Sequence, residues 1–331
     1  MKKTKLWAIG YSIALTGFTV WLALDTFVIP HAYQPAAPSP IIAPAQAEST
    51  PAPVSTASGK QSGGKRNSKS RTQLQHHADS APIQSDSADE AFPLRYDNGQ
   101  THIALSSYRV EDTTVYVADV TLSSPEALSS VLARDTYGRN VTETPSSMAR
   151  RTSAVLAING DYYGARERGY VVRNGTLYRS LPINGQEDLV IDANGNFSII
   201  RENEVSAEAL TQGGAVQVLS FGPALIESGE ISVGPNDEVG RAMASNPRTA
   251  LAQVGPLHYL FVVADGRTSA SQGLSLHQLA QFLQSLGAET AYNLDGGGSS
   301  AMIFNGQLVN IPTTTGSRSN ERSVSDIVAI F

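Results

Sequence analysis

Short runs of apolar and β-branched residues, cut by Asn-Gly pairs, constrain this chain more than any other feature. Asn174-Gly175, Asn194-Gly195 and Asn305-Gly306 each stand between such runs. Asn-Gly is the preferred pair for a two-residue hairpin, whose central residues take positive φ. Thr113 to Leu122 (TTVYVADVTL), Ser153 to Ile158 (SAVLAI) and Ser323 to Phe331 read as strands. Thr249 to Val254 and His258 to Ala264 read as a further hairpin around Gly255-Pro256. One helix is well marked. Ser275 suits its N-cap, and Gln278 three residues on completes a capping box. Leu276, Leu279, Ala280, Leu283 and Leu286 form its apolar stripe, and Gly287 ends it. A second helix is expected over Ser124 to Arg134. The pattern predicts an α+β fold, strand-dominated, with mixed sheets and few helices.

The strands begin after a long preamble. Lys2, Lys3 and Lys5 precede an uncharged run from Leu6 to Leu24. That run is about long enough to cross a ~30 Å hydrocarbon core. Positive residues before it predict a cytoplasmic N-terminus and an exported remainder. Residues 1–30 are therefore expected to be an N-terminal membrane anchor. The Ala45-Gln46-Ala47 triplet resembles a signal-peptidase site but lies far beyond the apolar run, which favours an uncleaved anchor. Residues 31–91 are rich in Pro, Ala, Ser, Gln and Gly, with a basic stretch (Lys60 to Arg71) and an acidic one (Asp86 to Glu90). Such composition buries too little apolar surface to offset chain entropy, so a disordered stalk is expected. The catalytic domain is expected over 92–331, outside the cytoplasm, or secreted if the first segment is cleaved.

Composition excludes some chemistry. There is no Cys, hence no disulfide, thiolate nucleophile or Cys-ligated zinc. A formal charge of −6 does not describe a nucleic-acid binder. Every Lys precedes residue 70, so the domain's permanent cations are all Arg. Guanidinium groups grip phosphate and carboxylate in a planar fork.

Five polar clusters interrupt the apolar strands at their ends. They are AINGDYY (157–163), NPRTA (246–250), VADGR (263–267), NLDGGGSS (293–300) and ERSVSD (321–326). Each alone reads as a turn with Asx chemistry. Together they suggest one site presented by a rigid scaffold. The sharpest is Asp295 followed by Gly296, Gly297 and Gly298. Glycines are costly to order, so three in a row suggest that the backbone must come close to something. Their N–H groups could form an anion nest, with Ser299 and Ser300 adding hydroxyls. Arg248, Arg267 and Arg322 could complete an anion clamp.

In wording and order these clusters resemble the phosphodiester glycosidase family. The resemblance runs from about Ala154 to Phe331 and is densest from Asn246 onward. It is almost continuous through VVADGRTSASQGLSLHQLAQFLQSLGAETAYNLDGGGSSAMIFNGQLVN. Phe92 to Arg151 carries no such resemblance. The Cys-free, stalked form suggests a bacterial-type member.

The resemblance implies hydrolysis of a sugar-1-phosphodiester of the GlcNAc-1-phosphate type, by attack at the anomeric carbon. The partner would be a phosphodiester-linked glycan of the envelope or an extracellular polymer, and no cofactor or metal is implied. Asp295 is the first catalytic candidate, with Asp265, Asp161 and Glu321 as the other carboxylates. Asn159 and Asn293 would orient sugar hydroxyls. Thr249, Arg248, Arg267, Arg322, Ser299 and the three glycines complete the expected binding set. Two alternatives stay open: a metal-dependent phosphodiesterase using Asp161, Asp265 and Asp295 as oxygen ligands, and a non-catalytic binder of envelope sugar-phosphate polymer.

Overall fold

A computed structural model describes residues 2–33, 94–238, 245–316 and 319–331. The Ala45-Gln46-Ala47 triplet, the stalk beyond Tyr33 and its charged stretches lie outside the described residues. Among the described residues are three large antiparallel sheets, one two-stranded pair and four α-helices. The largest sheet has eight strands, ordered Glu230–Ile231, Ala224–Glu227, Thr290–Asn293, Arg248–Gly255, His258–Ala264, Thr113–Leu122, Thr101–Val110 and Leu94–Asp97. A five-stranded sheet runs Gln307–Leu308, Met302–Phe304, Leu156–Asn159, Asp326–Ile330 and Leu128–Leu132. Another runs Phe197–Arg201, Glu187–Asp192, Ala215–Leu219, Val171–Arg173 and Thr176–Arg179. The strand-dominated class holds, but every described pairing is antiparallel rather than mixed.

The turns explain that register. Asn174 and Gly175 take φ of 51° and 77°, and Asn305 and Gly306 take 49° and 75°, so both pairs make tight hairpins. At Asn194-Gly195 only Gly195 is left-handed, at φ 80°. There the Asp192 carboxylate closes the loop by accepting from the N–H groups of Asn194 and Asn196, both at 2.8 Å.

The three sheets share one core. Leu105 and Phe261 of the large sheet meet Leu156 and Val328 of the second and Leu189 and Leu219 of the third. The four helices are α1 (Lys2–Phe27), α2 (Pro145–Thr152), α3 (Ala207–Gln212) and α4 (Leu276–Ser285). The capping box at Ser275 and Gln278 is present at the start of α4. Leu276, Leu279, Ala280 and Leu283 of α4 cover the second face of the large sheet, against Val115, Ala250, Val262 and Ala291. This double cover is why His258–Ala264 reads as a continuous apolar run rather than an alternating one. Truncating a fully buried leucine such as Leu279 to Ala costs about 2–5 kcal/mol.

Two expectations change. Ser124 to Arg134 is not an α-helix. Pro125–Ala127 forms a single 3₁₀ turn, and Leu128–Leu132 pairs with Asp326–Ile330 as an edge strand. Long-range pairing of LSSVL outweighs the weak local helix signal.

The second change concerns the N-terminus. The run expected as an anchor is helical within α1, but among the described residues no helix is long and apolar enough to cross a membrane. Anchoring through this helix is therefore not supported. The end of α1 contacts the domain. Arg139 donates to the Asp25 carbonyl at 3.2 Å, and Asn140 donates to the Thr26 carbonyl at 3.0 Å. His31–Ala32, which composition assigns to the stalk, pairs with Gly138–Arg139.

Candidate active site

The ends of the central strands of the large and second sheets converge on Asp295. Asp295 follows the strand Thr290–Asn293, whose neighbour Arg248–Gly255 fixes the exit of the loop. The Leu294 N–H donates to the Thr249 carbonyl at 2.9 Å, and the Asp295 N–H donates to the Gly160 carbonyl at 3.3 Å. Asn159 ends its own strand directly behind this loop. Its Nδ2 donates to the Asp295 carbonyl at 2.6 Å. Its Oδ1 accepts from Thr249 Oγ1 at 2.8 Å and from the Ala301 N–H at 3.1 Å. Asn159 and Thr249 thus hold the loop from within, and neither lines the cleft.

The three glycines have a steric reason. A Cβ on Gly296 would lie 2.9 Å from the Pro247 carbonyl oxygen. One on Gly297, which has φ +60°, would lie 2.8 Å from Arg267 Nη2. One on Gly298 would lie 2.5 Å from Thr314 Oγ1 and 2.9 Å from Arg322 Nη2. What comes close to this backbone is therefore a pair of guanidinium groups. The N–H groups expected to form a nest are largely engaged. Gly297 N–H donates to the Pro247 carbonyl at 2.8 Å, and Ser299 and Ser300 N–H donate to the Gly296 and Gly297 carbonyls at 3.2 Å. Positive charge here comes from side chains more than from backbone.

Around Asp295 lies a cleft of about 190 Å³, walled by Arg248, Arg267, Arg322, Asn293 and Phe221. Burial pushes the Asp295 carboxyl up to about 6, against the opposing pull of the Ser299 hydroxyl, the Arg322 charge and the Gly296 N–H. Such a group holds and releases a proton near neutral pH. Arg322 Nη1 donates to Ser299 Oγ at 3.4 Å. Arg267, itself at φ 62°, donates to the Thr314 carbonyl at 2.8 Å and to Asn246 Oδ1 at 3.0 Å. Desolvation and the Arg322 charge make the Arg267 guanidinium easier to deprotonate than usual. Two cations held side by side are poised for an anion. Among the described residues neither has a carboxylate within ion-pair distance. Arg248 differs, because it is bound to Glu238 at 2.5 Å and to the Leu274 carbonyl at 2.8 Å. Asn293 is buried, its Nδ2 donates to the Gly222 carbonyl at 2.8 Å, and its Oδ1 has no hydrogen-bond partner among the described residues.

The remaining carboxylates face elsewhere. Asp161 is buried in an ion pair with Arg173 at 2.7 Å and accepts from the N–H groups of Tyr163 and Ser220. Arg173 holds Asp326 at the same 2.7 Å, so one buried cation joins two strands and a loop. Asp265 accepts from Asn310 Nδ2 at 3.2 Å and from the Ile311 N–H at 3.0 Å. Burial raises its pKa, opposed by these two bonds and by Tyr116. It ties down the segment beyond the Asn305-Gly306 turn. Glu321 accepts from the Ser146 N–H at 2.6 Å and the Ser146 hydroxyl at 2.7 Å, which caps α2. Of the expected carboxylates, Asp295 alone lines the cleft. Asp161, Asp265 and Asp295 do not converge as a ligand set, and no other such group occurs among the described residues.

Sequence reasoning missed Phe221 and Glu238. Phe221 sits beside the cis bond Gly222-Pro223, and an aromatic residue before Gly-Pro in a loop was the available signal. Glu238 carried none, because its pairing with Arg248, ten positions on, is made only by folding.

Known proteins resemble this chain in sequence and in fold. Residues 152–331 match the family model for phosphodiester glycosidase. An uncharacterized prophage-derived protein of Bacillus subtilis, YomE, is 29% identical over 181 residues, covering 53% of this chain and 28% of that protein. Mouse N-acetylglucosamine-1-phosphodiester α-N-acetylglucosaminidase is 38% identical over 66 residues, covering 20% of this chain and 13% of that protein. The chain thus spans well under two thirds of the length of these relatives. The catalytic domain of the zebrafish enzyme of the same name, solved auto-inhibited by its pro-peptide, has the same fold. Its TM-score is 0.56 at 21% identity, over 76% of this chain and 86% of that one. With more than half of its length matched by the family model, the chain belongs to the phosphodiester glycosidase family.

Proposed function

We propose that this protein hydrolyses a sugar-1-phosphodiester of the GlcNAc-1-phosphate type, with water attacking the anomeric carbon. The observation that carries this reading is Asp295, with its carboxyl raised to about 6, in one cleft with two guanidinium groups that have no acidic partner among the described residues. Arg267 and Arg322 bind the phosphoryl oxygens. Asn293 Oδ1 accepts from a sugar hydroxyl or amide N–H, which satisfies its buried lone pairs. Phe221 offers an apolar face to the sugar ring.

The leaving group is a phosphate monoester, a far weaker base than a sugar alkoxide. It departs with little help from a general acid, and the arginines stabilise the charge that gathers on it. A single carboxylate therefore suffices. Asp295, ionised, takes a proton from the attacking water. The C1–O bond breaks, its electron pair leaves with the phosphate oxygen, and the hydroxyl of water is joined to C1. The sugar and phosphate would belong to a glycan of the envelope or an extracellular polymer, with the protein acting outside the cytoplasm.

Incubating the full chain with a panel of sugar-1-phosphodiesters, with products identified by mass, tests this. Free sugar and a phosphate monoester are expected. Tight binding of such compounds with no turnover across the panel would make the protein a binder instead.

A further inference from the structure

A second cavity of about 230 Å³ is lined by Tyr33, Tyr137, Tyr178, Arg139, Arg166, Arg179 and one carboxylate, Glu167. None of these residues belongs to the cleft around Asp295. Its wall is aromatic, with Tyr137 and Tyr178 rings 4.8 Å apart and Tyr33 and Tyr137 rings 6.1 Å apart. Its floor is cationic. Arg139 is met by Asp25 and by the exposed Glu167, each at 3.4 Å, yet its buried Nε has no hydrogen-bond partner among the described residues. Arg179 is spent on carbonyls, those of Gly169, Tyr163 and Arg166, and burial disfavours its charge. Arg166 donates to the Ser220 carbonyl at 3.0 Å. Among the described residues neither Arg166 nor Arg179 has a carboxylate within ion-pair distance.

Arg166 connects the two cavities. Its guanidinium lies 5.3 Å from the centroid of the Phe221 ring, and Phe221 walls the cleft around Asp295. A cation lining the second cavity therefore packs on an aromatic side chain lining the first. Tyrosine rings beside arginines suit a ligand that alternates sugar faces with anionic groups, since rings pack on apolar sugar faces and guanidinium forks hold phosphate.

We infer that this cavity is an extension subsite for a polymeric substrate, taking the neighbouring anionic sugar-phosphate unit of a poly(glycosyl phosphate) while the scissile unit occupies the Asp295 cleft. The inference rests on the function proposed above and adds that the substrate is a polyanion of at least two units. Binding at two linked sites raises affinity without any new contact at the reacting bond.

The test uses non-hydrolysable phosphonate analogues of one unit and of two, titrated by calorimetry into the full chain. The two-unit analogue should bind at least ~10-fold more tightly than the one-unit analogue. Tyr178→Ala should cut that advantage severalfold and leave one-unit affinity unchanged, Arg166→Ala should also cut it severalfold, and Tyr178→Phe should retain it. Equal affinity for both analogues overturns the inference. So does a length advantage that survives in both variants, each checked for an unchanged melting temperature. The underlying function is read separately, from the one-unit analogue. If that analogue does not bind the wild type, or binds Arg267→Ala equally well, the cleft reading falls and this subsite falls with it.

Discussion

Asn159 Nδ2 reaches the Asp295 backbone carbonyl at 2.6 Å, across 136 positions of sequence. The contact joins the second sheet to the loop of the first and fixes the carboxylate without touching it. Asn159→Ala would free that carbonyl and also leave Thr249 Oγ1 and the Ala301 N–H without their acceptor. Two buried donors without partners cost roughly 1–3 kcal/mol each. The variant is expected to melt several degrees lower and to lose kcat, with KM changed less. An unchanged kcat in folded protein would show that the loop holds Asp295 by other means.

Asp295→Asn should lower kcat by ~10²–10⁴-fold, the usual range for a lost acid-base group. It should also stabilise the fold above neutrality. A carboxyl raised to about 6 keeps its proton in the folded chain after the unfolded chain has released it. The resulting stability is complete below the unfolded value near pH 4 and is lost as pH rises through about 6. Asn carries no such charge. The variant should match the wild type near pH 4 and exceed it by on the order of 1–3 kcal/mol at pH 8. Melting temperatures across this range decide it, and a gap independent of pH would refute the assigned titration. In the wild type, kcat/KM should fall below about pH 6 as Asp295 takes up its proton.

Arg267→Ala and Arg322→Ala should each reduce kcat/KM by ~10–100-fold, since a hydrogen bond to a charged group contributes about 1.5–3 kcal/mol. Arg248→Ala should act differently, because it strips Glu238 of its partner and disturbs the fold as well. Gly298→Ala offers a gentler probe. The new methyl would meet Thr314 Oγ1 at 2.5 Å and Arg322 Nη2 at 2.9 Å, both ends of side chains that can move. Activity should fall with little change in melting temperature. A fully active Gly298→Ala would mean that the position of Arg322 is not critical.

The Arg173 cluster predicts the opposite pattern. Arg173→Met leaves Asp161 and Asp326, each 2.7 Å from the guanidinium, buried without a counter-charge. Breaking a buried pair in this way costs about 3–5 kcal/mol. The triple variant Arg173→Met, Asp161→Asn, Asp326→Asn should recover much of that loss in thermal unfolding. No recovery would place the cost in packing rather than charge.

Much of this architecture is legible in the sequence because the signals are local. The Ser275 and Gln278 cap and the Asn174-Gly175 and Asn305-Gly306 turns depend only on near neighbours. The NLDGGGSS loop was legible as a close approach of backbone to something, although the nest it suggested is replaced by guanidinium groups. The roles of the carboxylates were not legible. Asp161, Asp265 and Glu321 sit in motifs much like that of Asp295, and what separates them is Arg173, Asn310 and Ser146, partners brought in by folding. Leu128–Leu132 was misread for the same reason, since its strand exists only against Asp326–Ile330.

The central claim is that Asp295 directs water to the anomeric carbon. Cleavage at carbon and cleavage at phosphorus give the same two products, so their identity does not discriminate. The bond broken does. Hydrolysis in ¹⁸O-labelled water, quenched fast enough to limit exchange at C1 and read by mass spectrometry, should place the label on the sugar C1 hydroxyl and leave the phosphate unlabelled. Label on the phosphate, with the sugar unlabelled, would contradict this account.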